Sequence, residues 1–525
     1  MAVPGPRCDR RLVGLPARSS TCRTGQGSHF IIGSGAGDDH RHPRAAALPT
    51  GTSGGDRVRR LPGIDGGFTV IAHSEVDDRC DVVIIGAGPA GSAAALELAR
   101  AGLDVVVIDK TEFPRFRIGE SMLPHTQRIM EELDLMDRVR KLPHMVKRGL
   151  EIEFGDGRRE PAAISFKEMF GDGVKQTFNI RRSIFDRMIA DAAMEAGARY
   201  RFRESVTNIE SLEHGDVRLE LDGGRIRANW VIDASGQACV LARHLGTRKF
   251  IPGYRNVSYF GHYEGVRRNT GDRDGFATLA MCREGWFWLI PIDEKTTSIG
   301  AVIEGDLSKS IPVPANQRLA WCLENCPAMA DRMTEATGPD KNHVVGDFSY
   351  TCGRHADAGW FMVGDAAAFI DPVWSTGVSL GLEGGVHAAR RIIDVAKGRM
   401  RPQAATGAHH ARISGLRRTF MKLIRNFYDH SFRELIVRGD GPLGVHRAVV
   451  NMLAGEVFRR VPFSVRWRWD LMMGLREFNR IRPLNERIRP HSLLQSGGIG
   501  LPSPNAGVSR AVPRRRIGEP SWQSH

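Results

Sequence analysis

The chain has 525 residues, 41% of them hydrophobic and 26% charged, with a formal net charge of +14; this is the composition of a soluble globular protein, long enough for several domains or one large α/β enzyme. The basic residues are spread out and form no recognisable nucleic-acid module, so the charge marks no nucleic-acid partner, and no run reaches the ~18 apolar residues of a membrane span. Eight scattered cysteines form neither a metal-ligand pattern nor a disulfide framework and fit a cytoplasmic protein.

Residues 1–78 are rich in Gly, Arg, Ser and Pro and carry no hydrophobic period, so a disordered extension is expected there. "CDVVIIGAGPAGSAAALELARAGLDVVVID" then reads as a buried strand, a glycine turn, an alanine-rich helix and a second strand. Regions of about 150–232 and 255–303 read as strand-rich, the second containing "REGWFWLIPI". In a strand, Trp286 and Trp288 face the same side and form one aromatic wall. A helix is expected over "NQRLAWCLENCPAMADRM", and a strand and turn at "WFMVGDAAAF". From Thr376 onward the pattern is helical, with 396–498 as a C-terminal helical region and 499–525 as a flexible basic tail. The domain proper is expected to span 79–395.

Gly86, Gly88 and Gly91 form GxGxxG between strand and helix. The first glycine makes the turn, the second admits a pyrophosphate, and the third lets helix and strand pack closely. Ala90 lies in the same turn, at a helix N-terminus able to hold phosphate. Asp109 closes the second strand, where an acid can accept hydrogen bonds from a ribose. A second signature separates FAD from NAD: a strand running into Gly364–Asp365, then a loop and a helix starting near Gly377. This matches the flavoprotein pattern in which the aspartate binds the ribityl chain and the helix start faces the flavin ring. Arg182, three before Phe185-Asp186, belongs to the same cofactor-binding set. No second GxGxxG follows a strand, so no separate NAD(P)H domain is expected.

These motifs resemble those of the flavin-dependent halogenases, a branch of the FAD monooxygenase superfamily, over roughly residues 80–390. Trp286-Phe287-Trp288-Leu289-Ile290-Pro291 satisfies WxWxIP, the motif that in this family is thought to wall the flavin off from substrate. "FPRFRIGESMLP" is like the family's segment beside the flavin and supplies Arg117 as a cofactor contact. Lys147 opens a frame like the family's lysine motif, with Leu150, Ile152 and Phe154 replacing Ala, Phe and Trp.

The resemblance implies an α/β fold: a Rossmann-like FAD-binding domain of the FAD monooxygenase type, an interleaved β-sheet substrate region, and a helical C-terminal region. It implies FAD, used as FADH2 from a separate flavin reductase, and chloride or bromide as co-substrate. Backbone N–H groups of Thr376 and Gly377 would bind halide, and Lys147 would pass hypohalous acid to an electron-rich aromatic ring, free or tethered to an acyl or peptidyl carrier protein. Tryptophan-specific members have a glutamate before Ser-Thr-Gly, whereas this chain has Trp374, which is closer to the phenol- and pyrrole-type branch. An FAD-dependent hydroxylase or epoxidase of the same fold is the alternative reading.

Overall fold

A computed structural model describes residues 77–169, 174–339, 341–437, 442–458, 461–484 and 487–496. The N-terminal extension, apart from its last two residues, and the basic tail lie outside the described residues.

The strand Asp77–Ile85 is flanked by Val105–Asp109 on one side and Gly224–Asp233 on the other, both parallel to it. Val82, Val83 and Ile84 are fully buried, as expected of a central parallel strand covered on both faces. Trp360–Met362 continues the sheet in parallel beyond Asp233, and Arg199–Phe202 extends it beyond Asp109. The register aligns Ile85 with Asp233, and Asp233 with Met362. Three strands far apart in sequence therefore end along one line. That line carries Gly86, Ala234 and Gly364, at the carboxyl edge where open α/β sheets bind ligands.

A second, seven-stranded sheet runs His343–Gly346, Asn256–Tyr263, Thr297–Glu304, Gly285–Pro291, Ala277–Met281, Gly149–Phe154, Ala162–Ser165. Side-chain alternation splits its neighbours cleanly. Trp286, Trp288, Leu279, Ile152 and Phe154 share one apolar cluster, while Phe287, Leu289, Ala280 and Ile299 share the cluster on the opposite face. The two tryptophans thus face one side, as their spacing requires.

The expectation that 150–232 is strand-rich holds, but its strands do not form one substrate-side sheet. Arg182–Glu195 is a 14-residue helix. The strands from Arg199 to Asp233 belong to the glycine-loop sheet, and only Gly149–Phe154 and Ala162–Ser165 join the second sheet. Strand propensity reports a pleated, half-buried surface and says nothing about which sheet supplies it. The helix expected over 316–333 divides at Pro327 into Arg318–Glu324 and Pro327–Arg332, because proline lacks the N–H that would continue it.

The C-terminal part is helical as expected: Gly377–Ala396, Pro402–Tyr428, His430–Val437, His446–Ala454 and Phe463–Ile481. Phe420, Phe427, Phe432 and Val449 from these helices bury against the tryptophan-bearing face of the second sheet. The region therefore forms part of the core over that face. Six cysteines are described, all buried and unbridged; Cys282 and Cys326 stand with sulfurs 3.7 Å apart on the face away from the tryptophans. No described helix is long and apolar enough to cross a membrane.

Candidate active site

A cavity of about 960 Å³ lies along the carboxyl edge of the first sheet and ends against the second. Gly86, Gly88, Ala90, Asp109, Arg117, Arg182, Gly364, Asp365, Thr376, Gly377, Trp286 and Trp288 all line it. Chain segments nearly 300 residues apart thus meet as their motifs require. Gly91, Lys147 and Pro291 do not line it.

The glycines divide the work as their spacing implies. Gly86 has φ +107, and a Cβ there would fall 2.4 Å from Ala234 O. A Cβ on Gly91 would fall 2.0 Å from Gly86 O, so this glycine serves the close packing of helix on turn and stays behind the cavity wall. A Cβ on Gly88 would meet only Arg115 Nη2, at 3.8 Å. Space beside Gly88 is therefore left open toward the cavity, where the start of helix Pro89–Arg100 presents N–H groups that have no partner within the helix.

The cations beside this turn are held in place by carboxylates. Arg182 makes a bidentate pair with Asp186, at 2.7 and 2.9 Å, and donates to Ile118 O at 2.6 Å. Arg115 lies 3.4 Å from Asp186 and 3.7 Å from Asp109. Its Nε is buried with no hydrogen-bond partner among the described residues. A buried donor in that state costs about 1–3 kcal/mol unless a ligand accepts from it. Arg117, the arginine expected from "FPRFR", lines the same cavity as Arg115, which the spacing does not single out. The two stand two residues apart, and only the folded chain shows that Arg115 is the shielded one, with Arg117 exposed.

Asp109 accepts from Ala87 N–H at 2.8 Å through one oxygen and from Thr111 through the other, so it braces the glycine turn while facing the cavity. Asp365 is pushed up to about 6 by burial, against the opposing charge of Arg182. An open glycine cradle, a helix start, an orphaned arginine donor and two cavity-facing carboxylates together fit a dinucleotide with a pyrophosphate and polyhydroxyl chain.

At the far end stand the tryptophans. Their ring centroids are 5.9 Å apart at 48°. Trp288 donates to Ser298 Oγ at 3.1 Å, and Trp286 donates to the Tyr428 hydroxyl at 3.1 Å. The Trp288 ring lies over Gly300 on the adjacent strand, where a Cβ would fall 2.2 Å from the ring; only glycine leaves that space. Pro291 ends the strand opposite Thr297; it stops the wall without joining it.

Lys147 ends the short strand His144–Lys147, paired with Thr177–Ile180. It is 1% exposed, and its Nζ donates to Ser121 Oγ at 2.8 Å and Met122 O at 3.0 Å, 5.6 Å from the Phe166 ring centroid. Burial alone pulls its pKa down to about 7, since desolvation disfavours the charged form. Ser121, unlike Lys147, lines the cavity, so the lysine reaches the cavity through one hydroxyl. The strand beginning at Gly149 lies two places from the tryptophan strand, about 10 Å at ordinary strand spacing. Next to Ser121, Glu120 is buried and its carboxylate bonds His262 Nε2 at 2.9 Å. Neither a cysteine nor a methionine is among the described residues lining the cavity.

The comparisons with known proteins agree with this geometry. Residues 79–419 match the FAD binding domain family model. A flavin-dependent halogenase of Armillaria mellea, armH5, is 31% identical over 379 residues, 67% of this chain and 72% of that protein. A 1H-pyrrole-2-carbonyl-(peptidyl-carrier protein) brominase of Pseudoalteromonas luteoviolacea is 31% identical over 319 residues, 59% of this chain and 77% of that protein. Among solved structures, the flavin-dependent brominase Bmp2 superposes with a TM-score of 0.68 at 28% identity, covering 77% of this chain and all of that one.

Proposed function

The chain belongs to the flavin-dependent halogenase family, and we propose that it halogenates an electron-rich aromatic ring by way of Lys147. The observation that carries this reading is a fully buried lysine with a near-neutral pKa, connected by Ser121 to a cavity that the dinucleotide motif and two tryptophans line together. A lysine kept for solubility would not be desolvated in this way.

FAD would be held by Gly86, Gly88, Ala90, Asp109, Arg115, Arg117, Arg182, Gly364 and Asp365; bound as FADH2, delivered by a separate reductase, it would supply two of the electrons that reduce oxygen, the chloride or bromide supplying the other two as it becomes hypohalous acid. The N–H groups of Thr376 and Gly377 hold the halide at a helix start, where a partial positive charge favours an anion. Trp286 and Trp288, at the cavity's far end, would keep the substrate ring from the cofactor, so that a small neutral acid is what must travel to Lys147. Near neutral pH, Lys147 divides between ammonium, which hydrogen-bonds and polarises the oxidant, and free amine, whose nitrogen can take the halogen. Ser121 Oγ accepts from Nζ and fixes which way the lysine points. Trp374, fully buried and edge-on to Phe427 at 5.2 Å, stands where a glutamate would favour free tryptophan. Phenols, pyrroles and related rings, free or carrier-bound, are therefore the substrate class.

The test needs no knowledge of the substrate. Purified protein is supplied with FAD, an NADH-dependent flavin reductase, oxygen, bromide, catalase and a halogen-accepting dye. Dye bromination that requires both protein and bromide is expected. Hydrogen peroxide as the sole product would give the reaction to the hydroxylase-type reading.

A further inference from the structure

Asp371 opens the loop that leads to Thr376 and the helix start. It is 2% exposed. Its Oδ1 accepts from Val373 N–H at 3.0 Å, folding the loop back on itself. Its Oδ2 accepts from the Tyr428 hydroxyl at 2.8 Å and from Asn256 Nδ2 at 3.4 Å. The same Tyr428 oxygen accepts the Trp286 indole N–H. One phenol at the end of helix Pro402–Tyr428 therefore joins the tryptophan strand to the loop before the helix start.

A packing role alone does not need this hydroxyl. Phenylalanine would fill the same volume, and a buried hydroxyl costs free energy unless it is bonded. Here it is bonded as donor and as acceptor, to groups on two different elements. The loop needs such support. Ser375 has φ +55, a left-handed conformation that serine adopts at a cost and that surrounding contacts must maintain. Those contacts include the apolar neighbours Val373 and Trp374 and the polar anchor at Asp371.

We propose that Tyr428 is a positioning residue that ties Trp286 to the Asp371–Thr376 loop, so that halide affinity at the helix start depends on the state of the wall. This inference rests on reading Thr376 and Gly377 as the halide site.

The experiment uses Tyr428→Phe in the full chain loaded with FAD. Bromide affinity is read from the change in visible absorption of bound oxidised FAD, and independently from the bromide KM of dye bromination. Both are expected to weaken about tenfold, with kcat at saturating bromide falling less than about threefold, as for the loss of one buried hydrogen bond to a charged group. Trp286→Phe, which removes the indole N–H from the other end, should shift bromide affinity in the same direction. The double variant should be no worse than about the worse single variant, since the two changes cut one connection. Should Tyr428→Phe fail to load FAD, Trp286→Phe alone carries the affinity test. The proposal falls if folded, FAD-loaded Tyr428→Phe binds bromide within about twofold of wild type, or if the two effects simply add. A lowered melting temperature with unchanged bromide affinity would leave Tyr428 as packing and also overturn it. If wild type shows neither a bromide-dependent absorption change nor dye bromination, the halogenase reading fails first and takes this inference with it; a normal wild type beside an unaltered variant sinks the coupling alone.

Discussion

The cofactor end and the lysine end of the site are built on opposite plans. At the cofactor end the chain withdraws its side chains. Gly86 and Gly91 bring backbone against backbone, Gly88 leaves space, and helix starts present bare N–H groups. Around Lys147 the chain does the reverse. Ser121, Met122 and Phe166 close over the ammonium until it is 1% exposed. An open cradle of backbone suits a large anionic cofactor. A closed chamber suits a group whose chemistry depends on losing its water. Substitutions at the two ends should therefore fail in different ways.

The largest effect is expected at the cofactor end. Gly91→Val would drive a side chain into Gly86 O and should give no folded protein. Gly88→Val meets only Arg115 Nη2 in the chain and should fold, with its melting temperature without FAD near that of wild type, yet bind FAD at least about a hundredfold more weakly. Calorimetry with and without FAD separates the two; if Gly88→Val binds FAD normally, the cradle has been assigned to the wrong ligand.

Lys147→Ala comes next and should spare everything Gly88→Val destroys. FAD affinity should stay within about twofold, and dye bromination by released hypohalous acid should persist. Regioselective halogenation of the natural substrate should fall at least about a hundredfold. Retention of that activity would make the buried lysine a structural residue.

The smallest effect sharpens the contrast through pH. Lys147 has a folded pKa of about 7 against an ordinary 10.5. Between those values the unfolded chain binds a proton that the folded chain has released, so folding stability attributable to this group rises with pH across that window. Denaturant titrations of wild type and Lys147→Met should diverge in favour of wild type by about 1.4 kcal/mol per pH unit from pH 7 upward. Parallel curves would mean that Lys147 keeps its proton in the fold.

The same contrast decided what the sequence could reveal. The cofactor end rests on short-range spacing: three glycines within six residues, a strand ahead of them, an acid at the next strand end. The wall rests on a period of two. Both patterns are local, and the structure brings Gly86, Asp109, Gly364, Trp286 and Trp288 to one cavity. Arg115 and Ser121 stand inside "FPRFRIGESMLP" and Asp371 just before Trp374-Ser375-Thr376, yet no local pattern there singles them out, and nothing near Tyr428 does. Their roles come from partners distant in sequence, such as Tyr428 bonding to both Trp286 and Asp371. Lys147 was found through a motif frame, but its burial was not readable, since an isolated lysine is normally solvated. The sheet that takes 199–233 is hidden for a related reason: Gly224–Asp233 pairs with Asp77–Ile85, Asp216–Leu221 with Gly224–Asp233, and Arg199–Phe202 with Val105–Asp109, choices made by register across the sheet.

The absence of sulfur from the described cavity lining bears on how long such a protein would last. Hypohalous acid destroys thiols and thioethers first, and a freely exposed cysteine is the residue most readily oxidised. Here all six described cysteines lie in the interior, off the cavity wall. The described wall is aliphatic, aromatic, hydroxyl, amide, carboxylate and basic, and behind Ser121 stands the amine of Lys147. Under the mechanism proposed above, a cavity wall without sulfur would let the oxidant cross it unspent, turning the hazard of a diffusible acid into a means of delivery.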